Sequence, residues 1–198
     1  MRLEERIRRK LRTPAKAFRH SLDRFEPTSG ANSYPERMMS YYYIQALERA
    51  LAPASVLLEI PVAGKRGHGR DNHIDALIFN DSEVVVAEFK RVLRPSRWGE
   101  LARDLERLRG PVAQQIRKGF RDGRRRLPRP FIFLGADCWY ERDADVWKSG
   151  RRAKGWTLPP MLRTAHRDYL CVFPWDGGPG WDGYYFVWAL LPFDEMAA

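Results

Sequence analysis

The chain has 198 residues, 44% of them hydrophobic and 13% aromatic, and its 35 Lys and Arg against 25 Asp and Glu give a formal net charge of +10. Length and composition describe one globular domain with a sizeable core and exclude a disordered chain. The charge makes polyanions, nucleic acid foremost, the expected partners, and two cysteines without CxxC or zinc spacing exclude a disulfide-rich scaffold or a zinc module.

Residues 1–26 carry half of the surplus through Arg2, Arg6, Arg8, Arg9, Lys10, Arg12, Lys16, Arg19 and Arg24, against four acids. Leu3, Ile7, Leu11, Phe18, Leu22 and Phe25 recur at helical spacing, so a basic amphipathic helix is predicted, broken or kinked near Pro14. It could lie on DNA, on an acidic membrane or on the domain itself. Residues 1–33 are read as a basic helical arm and loop, and 34–198 as the main domain. The N-terminus lacks the apolar core of a signal peptide, and the longest apolar stretch, Tyr184 to Phe193, is too short to span a bilayer. A cytoplasmic protein without integral membrane association is expected, with Cys138 and Cys171 as free thiols and one disulfide between them as the alternative.

The next helix starts at Pro35, with Glu36 in its first turn, and runs to about Leu51, where Ala52-Pro53 ends it. Val56 to Val62 is a short apolar strand interrupted by Glu59. A basic loop follows from Gly64 to Asp71, lacking the GK[ST] of a P-loop; its Lys65, Arg66 and Arg70 are candidate phosphate contacts.

His73 to Phe79 and Val84 to Arg91 read as two strands joined by a turn at Asn80 to Glu83. With Asp81-Ser82 as the tip, Asn80 pairs with Glu83, and counting back sets Asp75 opposite Glu88. Opposed residues share a face of the sheet, and alternation adds Lys90 to that face while Phe89 points away. The flanking residues are so apolar that these carboxylates are expected to be buried, which is costly unless a cation compensates them. Hard oxygen ligands of this kind suit Mg²⁺ or Mn²⁺. The alternative for Glu88 and Lys90 is an ion pair on a solvated strand. His73 could contact substrate or be a hydrogen-bonded structural histidine, and Glu59 could enter from the neighbouring strand.

A helical tract from Gly99 to about Gly119, divided at Gly110-Pro111, carries Gln115, which could line the site. It ends in a basic cluster whose Arg124 and Arg125 are further candidate phosphate contacts. Pro130 to Ala136, Tyr169 to Phe173 and Tyr184 to Leu191 are the remaining strands. Trp139, Trp147, Trp156, Trp175, Trp181 and Trp188 could stack bases or fill the core. The predicted fold is α/β: a three-layer α/β/α sandwich around a mixed central sheet, with the N-terminal basic helix and extra C-terminal strands.

Asp75, then Glu88-Phe89-Lys90 after a hairpin, with Glu36 on the preceding helix and a helix and strand following, resembles the PD-(D/E)XK phosphodiesterase superfamily. That superfamily has the restriction-endonuclease-like fold, and the resemblance covers residues 35–136 in its αβββαβ order. It implies that Asp75 and Glu88 ligate Mg²⁺ or Mn²⁺ with help from the Phe89 carbonyl, that Lys90 orients or activates the attacking water, and that Glu36 is an additional acid. Ile74 stands where the family's name has proline. Gln114 and Gln115 are followed four residues on by Lys118 and Gly119, so the QxxxY signature of the exonuclease branch is not met. The implied activity is that of a metal-dependent nuclease; DNA is expected as substrate ahead of RNA, which stays open, in defence, repair or recombination, with a homodimer one available assembly. The alternative is a catalytically inactive nucleic-acid- or partner-binding module on the same fold.

Overall fold

In a computed structural model the described residues are 1–24, 36–61, 73–92, 98–122, 128–138, 140–150, 158, 162–163, 165–174 and 183–193. They form helices α1 (Leu3–Arg24) and α2 (Glu36–Leu51), then strands β1 (Ser55–Pro61), β2 (His73–Phe79) and β3 (Glu83–Arg91). Helices α3 (Trp98–Arg107) and α4 (Ala113–Asp122) follow, joined by a π-helical turn over Leu108–Val112. The chain continues through β4 (Arg129–Cys138), α5 (Glu141–Ser149), β5 (His166–Pro174) and β6 (Gly183–Pro192).

Asn80 sets the β2–β3 hairpin. Its N–H donates to the Glu83 carbonyl, its Oδ1 accepts the N–H groups of Ser82 and Glu83, each at 2.9 Å, and its Nδ2 donates to the Leu51 carbonyl at 2.6 Å. A side chain that satisfies the donors of the turn holds Asp81-Ser82 at the tip, and the tip dictates the register. Phe79 therefore faces Val84, and Ala76 faces Ala87.

The six strands make one sheet in the order β1-β2-β3-β4-β6-β5, antiparallel throughout except for the parallel β3–β4 pair that the α3–α4 crossover connects. Its strands are apolar on both faces, and both faces are covered. Val84, Val86, Ile132, Leu134, Val187 and Leu191 pack beneath Leu101, Leu105, Leu108, Ile116 and Trp147 of the α3, α4 and α5 layer. On the other face Val85, Phe89, Phe133, Phe186 and Trp188 meet Ile7, Leu11, Phe18, Tyr43 and Leu47 of α1 and α2. The architecture is the expected α/β/α sandwich, and the two C-terminal strands extend the same sheet.

Of the three surfaces open to the basic N-terminal helix, the domain itself takes its apolar stripe: Leu3, Ile7, Leu11, Ala15 and Phe18 are buried against α2 and the sheet. The predicted interruption at Pro14 does not divide it. One helix runs through the proline, because the lost backbone bond is outweighed by the burial of Leu11, Pro14, Ala15 and Phe18 around it. Leu22 and Phe25 of the predicted stripe lie outside the described side chains. Among the described residues no helix is long and apolar enough to cross a membrane. Cys138 is buried and Cys171 exposed, and neither is in a disulfide.

Candidate metal centre

The hairpin alternation makes Asn80–Glu83 a hydrogen-bonded pair, so 78–85, 76–87 and then 74–89 should follow. The ladder instead ends at Ala76–Ala87. There the Phe89 N–H is accepted by Oδ2 of Asp75 at 2.7 Å. The strands part at that point, and a carboxylate takes the place of a ladder carbonyl. On the outer side, between the Leu58–Ala76 and Ile60–Ile74 pairs, Glu59 adopts φ 50° and is exposed. A left-handed conformation costs an L-residue roughly 1–2 kcal/mol, and strain of this kind collects beside functional sites.

Glu88, next to Asp75, is 5% exposed. Burial and then the Asp75 charge push its carboxyl up from the ordinary 4.5 to about 8, against the pull of Arg107. Arg107 of α3 donates through Nη2 to Oε1 of Glu88 at 2.8 Å and through Nη1 to the His73 carbonyl at 2.6 Å. The Oε2 atom of Glu88 is buried without a hydrogen-bond partner. Lys90, on the same face, meets Oδ2 of Asp104 at 3.2 Å, and Asp104 Oδ1 lies 3.6 Å from Arg107 Nη2.

Asp75, Glu88 and Lys90 thus come together as predicted, near the carboxyl ends of the parallel strands, where open α/β sheets hold their ligands. Asp104 and Arg107 were not foreseen, because an acid and a base three apart on a helix read as a surface pair. A signal existed: Leu101 and Leu105 of α3 and Leu108, which opens the π-helical turn, mark one inward stripe, and Asp104 falls within it.

The other predicted residues lie elsewhere. His73 contributes its main-chain carbonyl, while its side chain is exposed. Gln115 is exposed and donates to the Pro61 carbonyl at 3.2 Å, tying α4 to the end of β1, and it lines the groove that adjoins the cluster rather than the cluster itself. Glu36 opens α2, in the layer across the sheet, and its side chain is outside the described set. So are Lys65, Arg66, Arg70, Arg124 and Arg125. Trp147 and Trp188 are core residues, the Trp147 indole donating to the Trp188 carbonyl at 2.8 Å. The other four predicted tryptophans are outside the described residues.

An apolar groove of 360 Å³ adjoins the cluster, with Ile74 and Leu77, which flank Asp75, on one wall and Val112, Ile116 and Phe120 on the other. A cavity of 610 Å³ near Pro53, Asn80 and Asp81 lies at the opposite, hairpin-turn end of β2.

Asp75 and Glu88, with the Phe89 carbonyl, could hold a hard divalent cation, and the bare Oε2 of Glu88 is the atom that asks for one. Among the described residues no group of three His, Cys, Asp or Glu is arranged as a metal cage. Such a cation would keep several positions for water and substrate, the usual state of Mg²⁺. No family model, curated protein or solved structure matches the chain.

Proposed function

We propose that the chain is a metal-dependent phosphodiesterase of the PD-(D/E)XK type that cleaves nucleic acid, DNA rather than RNA. The observation that carries this reading is the buried Glu88 carboxylate, with one oxygen lacking a partner, beside Asp75 and two residues before Lys90. Burying Glu88 beside the partly buried carboxylate of Asp75 is a poor choice for stability alone. Mg²⁺ or Mn²⁺ bound there would polarise a scissile phosphate and lower the pKa of a bound water. Asp75 and Glu88 would orient that ion, with Asp75 steadied by the Phe89 N–H. Lys90, braced by Asp104, would align the attacking water or offset negative charge on the phosphate. The net charge of +10 supplies the long-range attraction for a polyanionic substrate.

A second reading is favoured by one contact. Arg107 already neutralises Glu88 at 2.8 Å, as it would in a binding module that has dispensed with metal. Incubating the protein with single- and double-stranded DNA and with RNA, in Mg²⁺, Mn²⁺ or EDTA, separates the two. Metal-dependent cleavage lost in both Glu88→Gln and Lys90→Ala supports the nuclease. Binding without cleavage of any form supports the module.

A further inference from the structure

A guanidinium that had replaced a metal for good should close both oxygens of its carboxylate with parallel N–H bonds, the geometry in which such pairs are strongest. Arg107 does not do so. It reaches Oε1 of Glu88 alone, and Oε2 stays buried without a hydrogen-bond partner. Its other supports are independent of Glu88: Nη1 donates to the His73 carbonyl at 2.6 Å, and Asp104, three residues earlier on α3, is 3.6 Å from Nη2. Loss of Glu88 would therefore not strand a buried charge, which is what makes breaking most buried pairs costly. When all are ionised, Asp75, Glu88 and Asp104 outnumber Lys90 and Arg107 by one charge. A divalent cation reverses that sign and repels the guanidinium from Glu88.

We propose that Arg107 is the resident counter-ion of this site: a divalent cation displaces it from Glu88, and the released guanidinium, still held by Asp104 and the His73 carbonyl, meets a phosphate oxygen of the substrate. This rests on the metal-dependent reading above and adds the role of a residue on α3.

The test is calorimetric titration with Mn²⁺, in alkaline buffer, of the wild type, Asp75→Ala, Arg107→Ala and Arg107→Gln. The glutamine variant keeps an amide donor for the His73 carbonyl and serves if the alanine variant does not fold. Wild type should bind Mn²⁺, Asp75→Ala should not, and the Arg107 variants should bind about tenfold more tightly or better, since their competitor is gone. The same Arg107 variants should cleave DNA about 10²–10³ more slowly despite fuller metal occupancy. Tighter metal with slower cleavage is the signature, which a merely structural arginine would not produce. Unchanged or weaker Mn²⁺ affinity in folded Arg107 variants overturns the exchange while leaving the metal-dependent reading intact, and cleavage at full rate overturns the phosphate contact. Mn²⁺ bound by the Arg107 variants but not by wild type makes the arginine a permanent occupant. Mn²⁺ bound by none of the four proteins removes the exchange and the metal-dependent reading together.

Discussion

Two buried carboxylates, Asp137 and Glu88, show how one functional group serves opposite ends. Asp137, 1% exposed at the end of β4, accepts from Arg91 Nε at 3.2 Å, the Val92 N–H at 3.1 Å and the Tyr184 hydroxyl at 3.1 Å. It is a satisfied structural anion, and Asp137→Ala, leaving Arg91 in the core without it, should destabilise by about 3–5 kcal/mol in denaturant unfolding. Glu88 is satisfied on one oxygen only. Its carboxyl, raised to about 8, holds a proton more tightly in the folded chain than in the unfolded one. The stabilisation this confers is complete below the ordinary value of 4.5 and is lost as pH rises through about 8. Metal-free protein should lose stability across that window, by up to about 1.4 kcal/mol per pH unit from this group. Glu88→Gln should flatten the slope. An equal slope in both proteins would assign the titration to other groups.

At the scale of elements, α1 is a working wall of the core as well as a carrier of charge. Leu11→Ala should cost about 2–5 kcal/mol, and removing the helix should abolish folding rather than trim an appendage. Its cations divide by partner. Arg6 pairs with Glu83 and Arg8 with Asp168, whereas exposed Arg9, Arg12 and Lys16 form no ion pair among the described residues. A second element-level constraint lies under β3. A Cβ on Gly135 of β4 would come within 2.7 Å of the Phe89 ring and 2.8 Å of the Phe186 ring. Phe89 follows Glu88, so Gly135→Ala should both destabilise the protein, by about 1–3 kcal/mol on chemical denaturation, and weaken Mn²⁺ binding. Loss of stability without change in metal affinity would uncouple the packing from the site.

For the molecule as a whole, the sheet keeps two charged surfaces apart. The outward cations of α1 lie over one face, and the Asp75, Glu88 and Asp104 cluster lies over the other. Asp168 on the edge strand β5 joins the layers, meeting Arg8 of α1 at 2.8 Å and Lys148 of α5 at 3.3 Å. On the proposed reading, Arg9→Glu with Lys16→Glu should weaken DNA binding and lower its salt slope by about 2 if both cations contact phosphates, leaving Mn²⁺ affinity unchanged. Asp75→Ala should do the reverse. Because the sites lie on opposite faces of the sheet, the combined variant should show both losses additively. An unchanged salt slope would send the DNA along another surface.

The hairpin was legible in residues 73–91 because its signals are local: apolar alternation, an Asn-Asp-Ser turn and a counting rule that puts Asp75 beside Glu88. The three-layer fold followed from strands apolar on both faces. Helix α5 was missed although Glu141 and Asp143 open it, Lys148 closes it and Gly150, at φ 71°, terminates it; these end signals flank a nine-residue segment with little periodicity. Other features depended on contacts distant in sequence. Whether α1 bound its own domain depended on the shape of the α2 surface, and the parting of β2 from β3 depended on which acceptor reached Phe89. The pairing of Arg107 with Glu88 across 19 residues depended on where the crossover set α3 down. Periodicity and turn chemistry act within a few residues and so can be read from the chain alone, whereas the counter-ion of a buried charge is chosen by whatever packs against it.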